Sequence, residues 1–210
     1  TPWRYPYATT GVGEFSDVVI YAQRSDAYYF VPSIIAEYAA LTRDLDFLAS
    51  PVPYWPRAAG ETGSVAEHID RGLDYGTITL GFGARGIVAM GTNDYADGIA
   101  LLATEPATPQ GTSSTFNAGM IATGFPLLGD LLERQGEAAL AARVRDLAAS
   151  QSEALISEAW NGDYFLRGFV DSGNPLAPHI FFVEPQLFPV LAGITSAEQA
   201  ESALAQVVAR

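Results

Sequence analysis

The chain has 210 residues with no cysteine and two histidines, and its 11 basic residues, all arginine and scattered, face 24 acidic ones for a formal net charge of −13. A phosphate backbone or an anionic membrane surface needs a basic face, so nucleic-acid and membrane partners are not expected; without cysteine, disulfide scaffolds, thiolate zinc sites and a cysteine nucleophile are excluded too. With 49% hydrophobic and 17% charged residues the composition suits one folded domain with a core and no second domain.

Residues 1–24 carry Pro, Gly, Thr and aromatics without helical period and read as a loop-rich opening segment with neither the basic nor the apolar stretch of a signal peptide. The missing initial methionine and the amphipathic run at the far end suggest a fragment of a longer chain. Ser25-Asp26 is a helix-start signal, and Phe30, Ile34, Tyr38 and Leu41 then form an apolar stripe to about Thr42, with Pro32 tolerable only near the start. Residues 50–56, with three prolines, read as an extended connection. Ser64 and Glu67 fit a capping box that opens a second helix to about Leu80.

Glycine then dominates from Gly81 to Gly98. A third helix is predicted from about Ser113 to Arg134, strained at Gly124 and Pro126 and stopped by Gly136. Residues 137–160 form the clearest helix, alanine-rich, with Leu140, Val144, Leu147, Leu155 and Ile156 on one stripe. A short β-hairpin or a turn-linked strand is expected over Gly162–Gly168, followed by helices near Gln186–Ala192 and Ser196–Val208. About six helices with long loops at 43–63, 81–112 and 161–184 favour part of a toroid of helix hairpins over a bundle, whose connections run to about 2–8 residues.

Several motifs carry chemistry on paper. Gly81 to Gly86 matches G-x-G-x-x-G, but no helix is predicted to follow and no strand-helix alternation surrounds it, so a glycine-rich turn is the better reading. Residues 91–98, Gly-Thr-Asn-Asp-Tyr-Ala-Asp-Gly, place two carboxylates and an aromatic on a loop between apolar segments. As a calcium loop from Asn93 the segment fails, since Tyr95 and Thr104 fall where oxygen ligands belong. As a saccharide loop it works: an aromatic ring packs on a pyranose face, and a partly desolvated carboxyl keeps its proton near neutral pH. The plain alternative is a turn in which Asp94 and Asp97 accept from backbone amides.

In order along the chain, Trp3, residues 25–32 with 36–38 and Thr42, residues 51–54, Leu73-Asp74-Tyr75, residues 86–98, residues 159–167 and residues 185–194 resemble glycoside hydrolase family 94, the inverting phosphorylases of cellobiose, chitobiose and related β-glucosides. The resemblance implies an all-α, (α/α)6 toroid with its site at the loop-bearing end, about half of it present here. It implies that Asp97 is the general acid, that Tyr95 replaces the family's sugar-contacting tryptophan and Ala96 its asparagine, and that Asp94 matches the first aspartate of the family loop. Asn93, Glu184 and Gln186 are placed near substrate, the alternative for Glu184 and Gln186 being a helix start with Glu184 near its positive end. Inorganic phosphate is the co-substrate, and neither an organic cofactor nor a metal is expected. The expected partner is a disaccharide or oligosaccharide, with a homodimer compatible, in the cytoplasm, where sugar 1-phosphate is retained. No counterpart of the family's phosphate-binding motifs stands out in the sequence, so the isolated chain is expected to be inactive.

Other residues have plainer readings. His68 has no paired histidine for a metal, His179 reads as an exposed loop residue, Trp160 and Tyr164 as core, and Arg85 and Arg167 as surface ion-pair partners. Inverting hydrolysis and a non-catalytic sugar-binding module remain as alternative functions.

Overall fold

The computed structural model describes residues 24–54, 60–96 and 98–210. Among them are six α-helices: α1 (Ala27–Thr42), α2 (Val65–Asp74), α3 (Thr115–Gln135), α4 (Ala138–Ala154), α5 (Glu184–Leu191) and α6 (Ala197–Ala209). Four short strands accompany them: β1 (Pro51–Pro53), β2 (Thr62–Ser64), β3 (Ser113–Ser114) and β4 (Gly168–Phe169). This all-helical hairpin architecture is the one expected of part of an (α/α)6 toroid. Of the opening segment, residues 1–23 lie outside the described residues.

Helix α3 is the hub, with α1, α4 and α5 packed around it. It runs unbroken through Gly124 and Pro126, because Gly124 faces Ser33 of α1 with no room for a side chain and Pro126 sits on the exposed side. Gly119 does the same for α5: a Cβ there would lie 2.6 Å from Cβ of Phe188. At the far end Gly136 takes a left-handed φ of 97°, and the Glu137 amide donates to the Leu132 carbonyl, which reverses the chain into α4. Leu140, Val144, Leu147 and Leu155 are buried as their periodicity predicts.

The capping box predicted for α2 is realised, and α6 carries a second one that the sequence reading did not single out. Ser64 accepts from the Glu67 amide while the Glu67 carboxylate accepts from Ser64 N, and Ser196 with Gln199 repeats the arrangement. Past Asp74 the α2 segment continues as a wider π-type turn, Tyr75–Leu80, to the predicted end.

Two expectations need correction. In α1 the predicted stripe faces outward, with Phe30, Ile34, Tyr38 and Leu41 exposed at 51%, 46%, 42% and 85%. Its buried face is Ala27, Tyr28, Tyr29, Pro32, Ala36 and Ala39, and α1 comes close to α3 where Ser33 meets Gly124. The other correction concerns the hairpin reading of the segment after Trp160: locally the antiparallel bridge Trp160 to Phe165 forms, while the turn-linked strand, β4, pairs with β3, Ser113 opposite Phe169 and Ser114 opposite Gly168. A glycine permits this pairing, because a Cβ at 168 would collide with the backbone carbonyl of Ser113. Gly168→Ala is therefore expected to destabilise the fold by about 1–3 kcal/mol in chemical denaturation. An effect near zero would mean that the β3–β4 contact is not made in solution.

The extended 50–56 segment begins as β1, paired antiparallel with β2. Its residues 55–59 lie outside the described residues. No described helix is long and apolar enough to cross a membrane.

Candidate active site

The loop singled out in the sequence is clamped at both ends. Met90 and Ile99, which flank it, are buried in a small cluster with Val170, Leu176 and Ala177, separate from the main core. Gly91 and Gly98 take left-handed φ values of 68° and 77°, which a side chain would disfavour. Backbone bonds then hold its first half: Met90 N donates to Thr112 O (2.7 Å), Gly91 N to Pro109 O (2.9 Å) and Ser25 N to Asn93 O (3.1 Å).

Asp94 is the loop's anchor. It is fully buried, and Nη2 of Arg167 lies 2.6 Å from one carboxylate oxygen and 2.7 Å from the other. The Ser114 hydroxyl donates to Oδ2 at 2.6 Å and the Ala96 amide to Oδ1 at 3.1 Å. Ser114 is also the N-cap of α3, accepting from the Asn117 amide at 3.2 Å, so one hydroxyl joins the helix start to the loop carboxylate. Next to this network, Asn117 Nδ2 donates to Ser25 Oγ at 2.7 Å and Ser25 Oγ donates to Met90 O at 2.5 Å. The turn-capping role foreseen as the plain alternative for Asp94 is thus present, but only as one of four contacts.

Arg167 is a correction. Expected at the surface, it is 2% exposed and paired with Asp94, 73 residues away in sequence. A buried guanidinium needs a counter-charge, and the loop supplies it here through Asp94. Three rings surround it: its guanidinium carbon is 5.8 Å from the centroids of Tyr95 and Phe116 and 5.6 Å from that of Phe182. Arg85, by contrast, is at the surface as expected, paired with Glu158 at 2.9 Å.

Tyr95 stays 41% exposed, its ring 4.4 Å from that of Phe116, which in turn meets Phe188 at 5.4 Å. An aromatic face backed by other rings and open on the outside suits stacking on a pyranose. Asn93 is buried, with its carbonyl engaged by Ser25. Glu184 opens α5, and its Oε1 is buried with no hydrogen-bond partner among the described residues. Gln186 is buried and clamps backbone: its Oε1 accepts from Phe165 N at 2.8 Å, and its Nε2 donates to Phe165 O and Phe182 O at 2.8 and 2.9 Å. Asp97 lies outside the described residues.

The sequence did not single out Asp26 as a side chain of this region. It sits at the start of α1 without capping it, and accepts from Arg24 Nε at 2.9 Å and Nη2 at 3.2 Å. Burial pushes its carboxyl above the ordinary value, the Arg24 contact pulls it back, and the Asp94 charge adds to the rise. Of the histidines, His68 is buried, stacked on Tyr54 and 2.9 Å from Val52 O, while His179 is exposed. No group of three or more metal-ligating side chains occurs among the described residues. The glycine-rich run at 81–86 makes a turn, with Gly83 N donating to Ile87 O and Ala84 N to Gly111 O, both at 2.8 Å, and no described helix opens after it.

Comparison with known proteins places these residues in context. Residues 16–209 match the sequence model described as the Glycosyl hydrolase 94 superfamily, catalytic domain. The chain is 28% identical over 176 residues to the cyclic beta-(1,2)-glucan synthase NdvB of Rhizobium meliloti (strain 1021), covering 77% of this chain and 6% of that protein. It is 24% identical over 188 residues to the solabiose phosphorylase of Paenibacillus borealis, covering 87% and 23%. Cellobionic acid phosphorylase of Neurospora crassa is 25% identical over 190 residues, again covering 87% and 23%. The chain therefore spans less than a quarter of each of these relatives.

Proposed function

The chain belongs to the Glycosyl hydrolase 94 superfamily, and on that premise we propose that it forms part of the catalytic domain of an inverting phosphorylase acting on a β-linked disaccharide or oligosaccharide. Asp97 is the general acid. Phosphate oxygen attacks the anomeric carbon from one face while the bond from that carbon to the glycosidic oxygen breaks on the other. The departing oxygen takes the Asp97 proton, and the products are a sugar 1-phosphate of inverted configuration and the freed acceptor sugar. Tyr95 is the platform on which a sugar ring rests, with Glu184 and Asn93 in the same substrate region and Gln186 holding the backbone behind it. Inorganic phosphate is the co-substrate. The cytoplasm suits this reaction, because the sugar phosphate is retained there.

The observation that carries the reading is the burial of Asp94. A carboxylate whose oxygens are taken by Arg167, Ser114 and the Ala96 amide has no access to water or substrate. Of the two aspartates in the loop, that leaves Asp97 for proton transfer. It also disfavours hydrolysis through this loop, since an inverting hydrolase needs a second, water-facing carboxylate about 6.5–9.5 Å from the acid. Likeness to a protein named as a glucan synthase, alongside two named as phosphorylases, argues for including longer β-glucans among the substrates.

The test is to incubate the full-length polypeptide containing this chain with β-linked glucose disaccharides and β-(1,2)-gluco-oligosaccharides, with and without phosphate. Sugar 1-phosphate formed only with phosphate is the expected result. Free sugar released without phosphate would point to hydrolysis, and binding without turnover to a non-catalytic module.

A further inference from the structure

We propose that Arg167 is a positioning residue for the acid-bearing loop, acting through Asp94. The inference rests on the reading of Asp97 given above. Arg167 ends the segment that leads into β4, and the β3–β4 pairing fixes that segment against the N-terminus of α3. Its Nη2 bridges both oxygens of Asp94, and its Nη1 lies 3.4 Å from the Ser114 hydroxyl that holds the same carboxylate. Three elements distant in sequence therefore converge on one buried charge pair: the loop, the helix cap and β4.

That pair has features beyond what a fold-stabilising contact requires. It is almost fully closed to solvent, with side-chain exposures of 1% and 0%, and Arg167 Nε is buried with no partner among the described residues. A buried ion pair is weak support for stability but fixes geometry in register, because any displacement separates charges in a medium of low dielectric. Tyr95 is the residue after Asp94, and its exposed ring packs on Phe116 beside the same guanidinium. One arginine thus sets the backbone from which the acid follows. A misplacement of about 1 Å in such a constellation costs about 10²-fold in rate.

The test uses the full-length polypeptide with two substrates, a β-linked disaccharide and the matching β-glycosyl fluoride, each with phosphate. Fluoride leaves without protonation, so a defect in placing the acid appears on the disaccharide and not on the fluoride. Arg167→Lys is expected to lower kcat and kcat/KM for the disaccharide together by about 10²-fold, and to leave fluoride turnover near that of the parent. Ser114→Ala, which keeps the ion pair, is expected to show the same pattern with a loss of about tenfold, which serves should Arg167→Lys not fold. Combining Arg167→Lys with Asp97→Asn should add little to Asp97→Asn alone, as for residues acting in one unit. Val144→Ala, a core change in α4 away from the loop, controls for lost stability and should leave both turnovers of the folded protein unchanged. Equal losses on both substrates, additivity with Asp97→Asn, or wild-type turnover in Arg167→Lys would overturn the proposal. If Asp97→Asn itself keeps full disaccharide turnover, the acid assignment fails instead, which separates the two failures.

Discussion

Asp97→Asn in the full-length polypeptide is expected to reduce turnover of a β-linked disaccharide by about 10²–10⁴-fold while the protein stays folded. The asparagine side chain has the size of the aspartate but no transferable proton, so the departing alkoxide must leave unassisted. The loop is held by Asp94, by the backbone bonds of Met90, Gly91 and Asn93, and by the burial of Met90 and Ile99. Unfolding midpoints within about 2 °C of the parent are therefore expected alongside the kinetic loss, a shift corresponding to less than about 1 kcal/mol in a domain of this size.

Asp94→Asn has the opposite signature. The carboxylate is the only anion in contact with a guanidinium that is itself buried, among the described residues. Removing its charge leaves Arg167 desolvated and uncompensated, a change of about 3–5 kcal/mol in comparable buried pairs. Against a total stability of about 5–15 kcal/mol this is a large fraction, and the unfolding midpoint should fall by roughly 6–20 °C. Replacing both partners with apolar residues, Asp94→Leu with Arg167→Met, should recover most of that loss, because no orphan charge then remains. Circular dichroism melts of the single and double variants check both statements. A single-variant loss below about 1 kcal/mol would show that water reaches the pair.

How far these features could be read beforehand depended on where the physics was local. The α4 helix was legible because an alanine-rich run without glycine or proline leaves few competing conformations, and the capping box at Ser64 because it is closed within four residues. The inward face of α1 was not. The stripe of Phe30, Ile34, Tyr38 and Leu41 points outward while Tyr28, Tyr29, Ala36 and Ala39 point inward, and the glycine on α3 that admits a close approach lies on another element. Over 162–168 the turn-linked strand, and not the hairpin, describes the end of the segment, since Gly168 finds its partner at Ser114, far upstream.

In the site the loop itself was conspicuous from its glycines, carboxylates and aromatic ring, and its kinship came from the order of motifs along the chain. Arg167 was invisible as a buried partner. In a sequence with 24 acidic residues and 11 arginines, any arginine has a surface acid to pair with, and nothing local marks the one that turns inward. The Gln186 clamp on Phe165 was hidden for a similar reason, because an amide bonding to distant backbone leaves no periodic trace. The glycine that lets β4 approach Ser113 and the alternation of Arg167 with the buried Phe165 and Phe169 are the only local hints that this segment is buried.

The most direct test of the acid assignment compares one variant on two leaving groups. With phosphate as acceptor, Asp97→Asn should be crippled on the disaccharide yet turn over the matching β-glycosyl fluoride at close to the parent rate. A variant equally slow on both, or equally fast on both, would contradict proton donation by Asp97 and with it the account given for this loop.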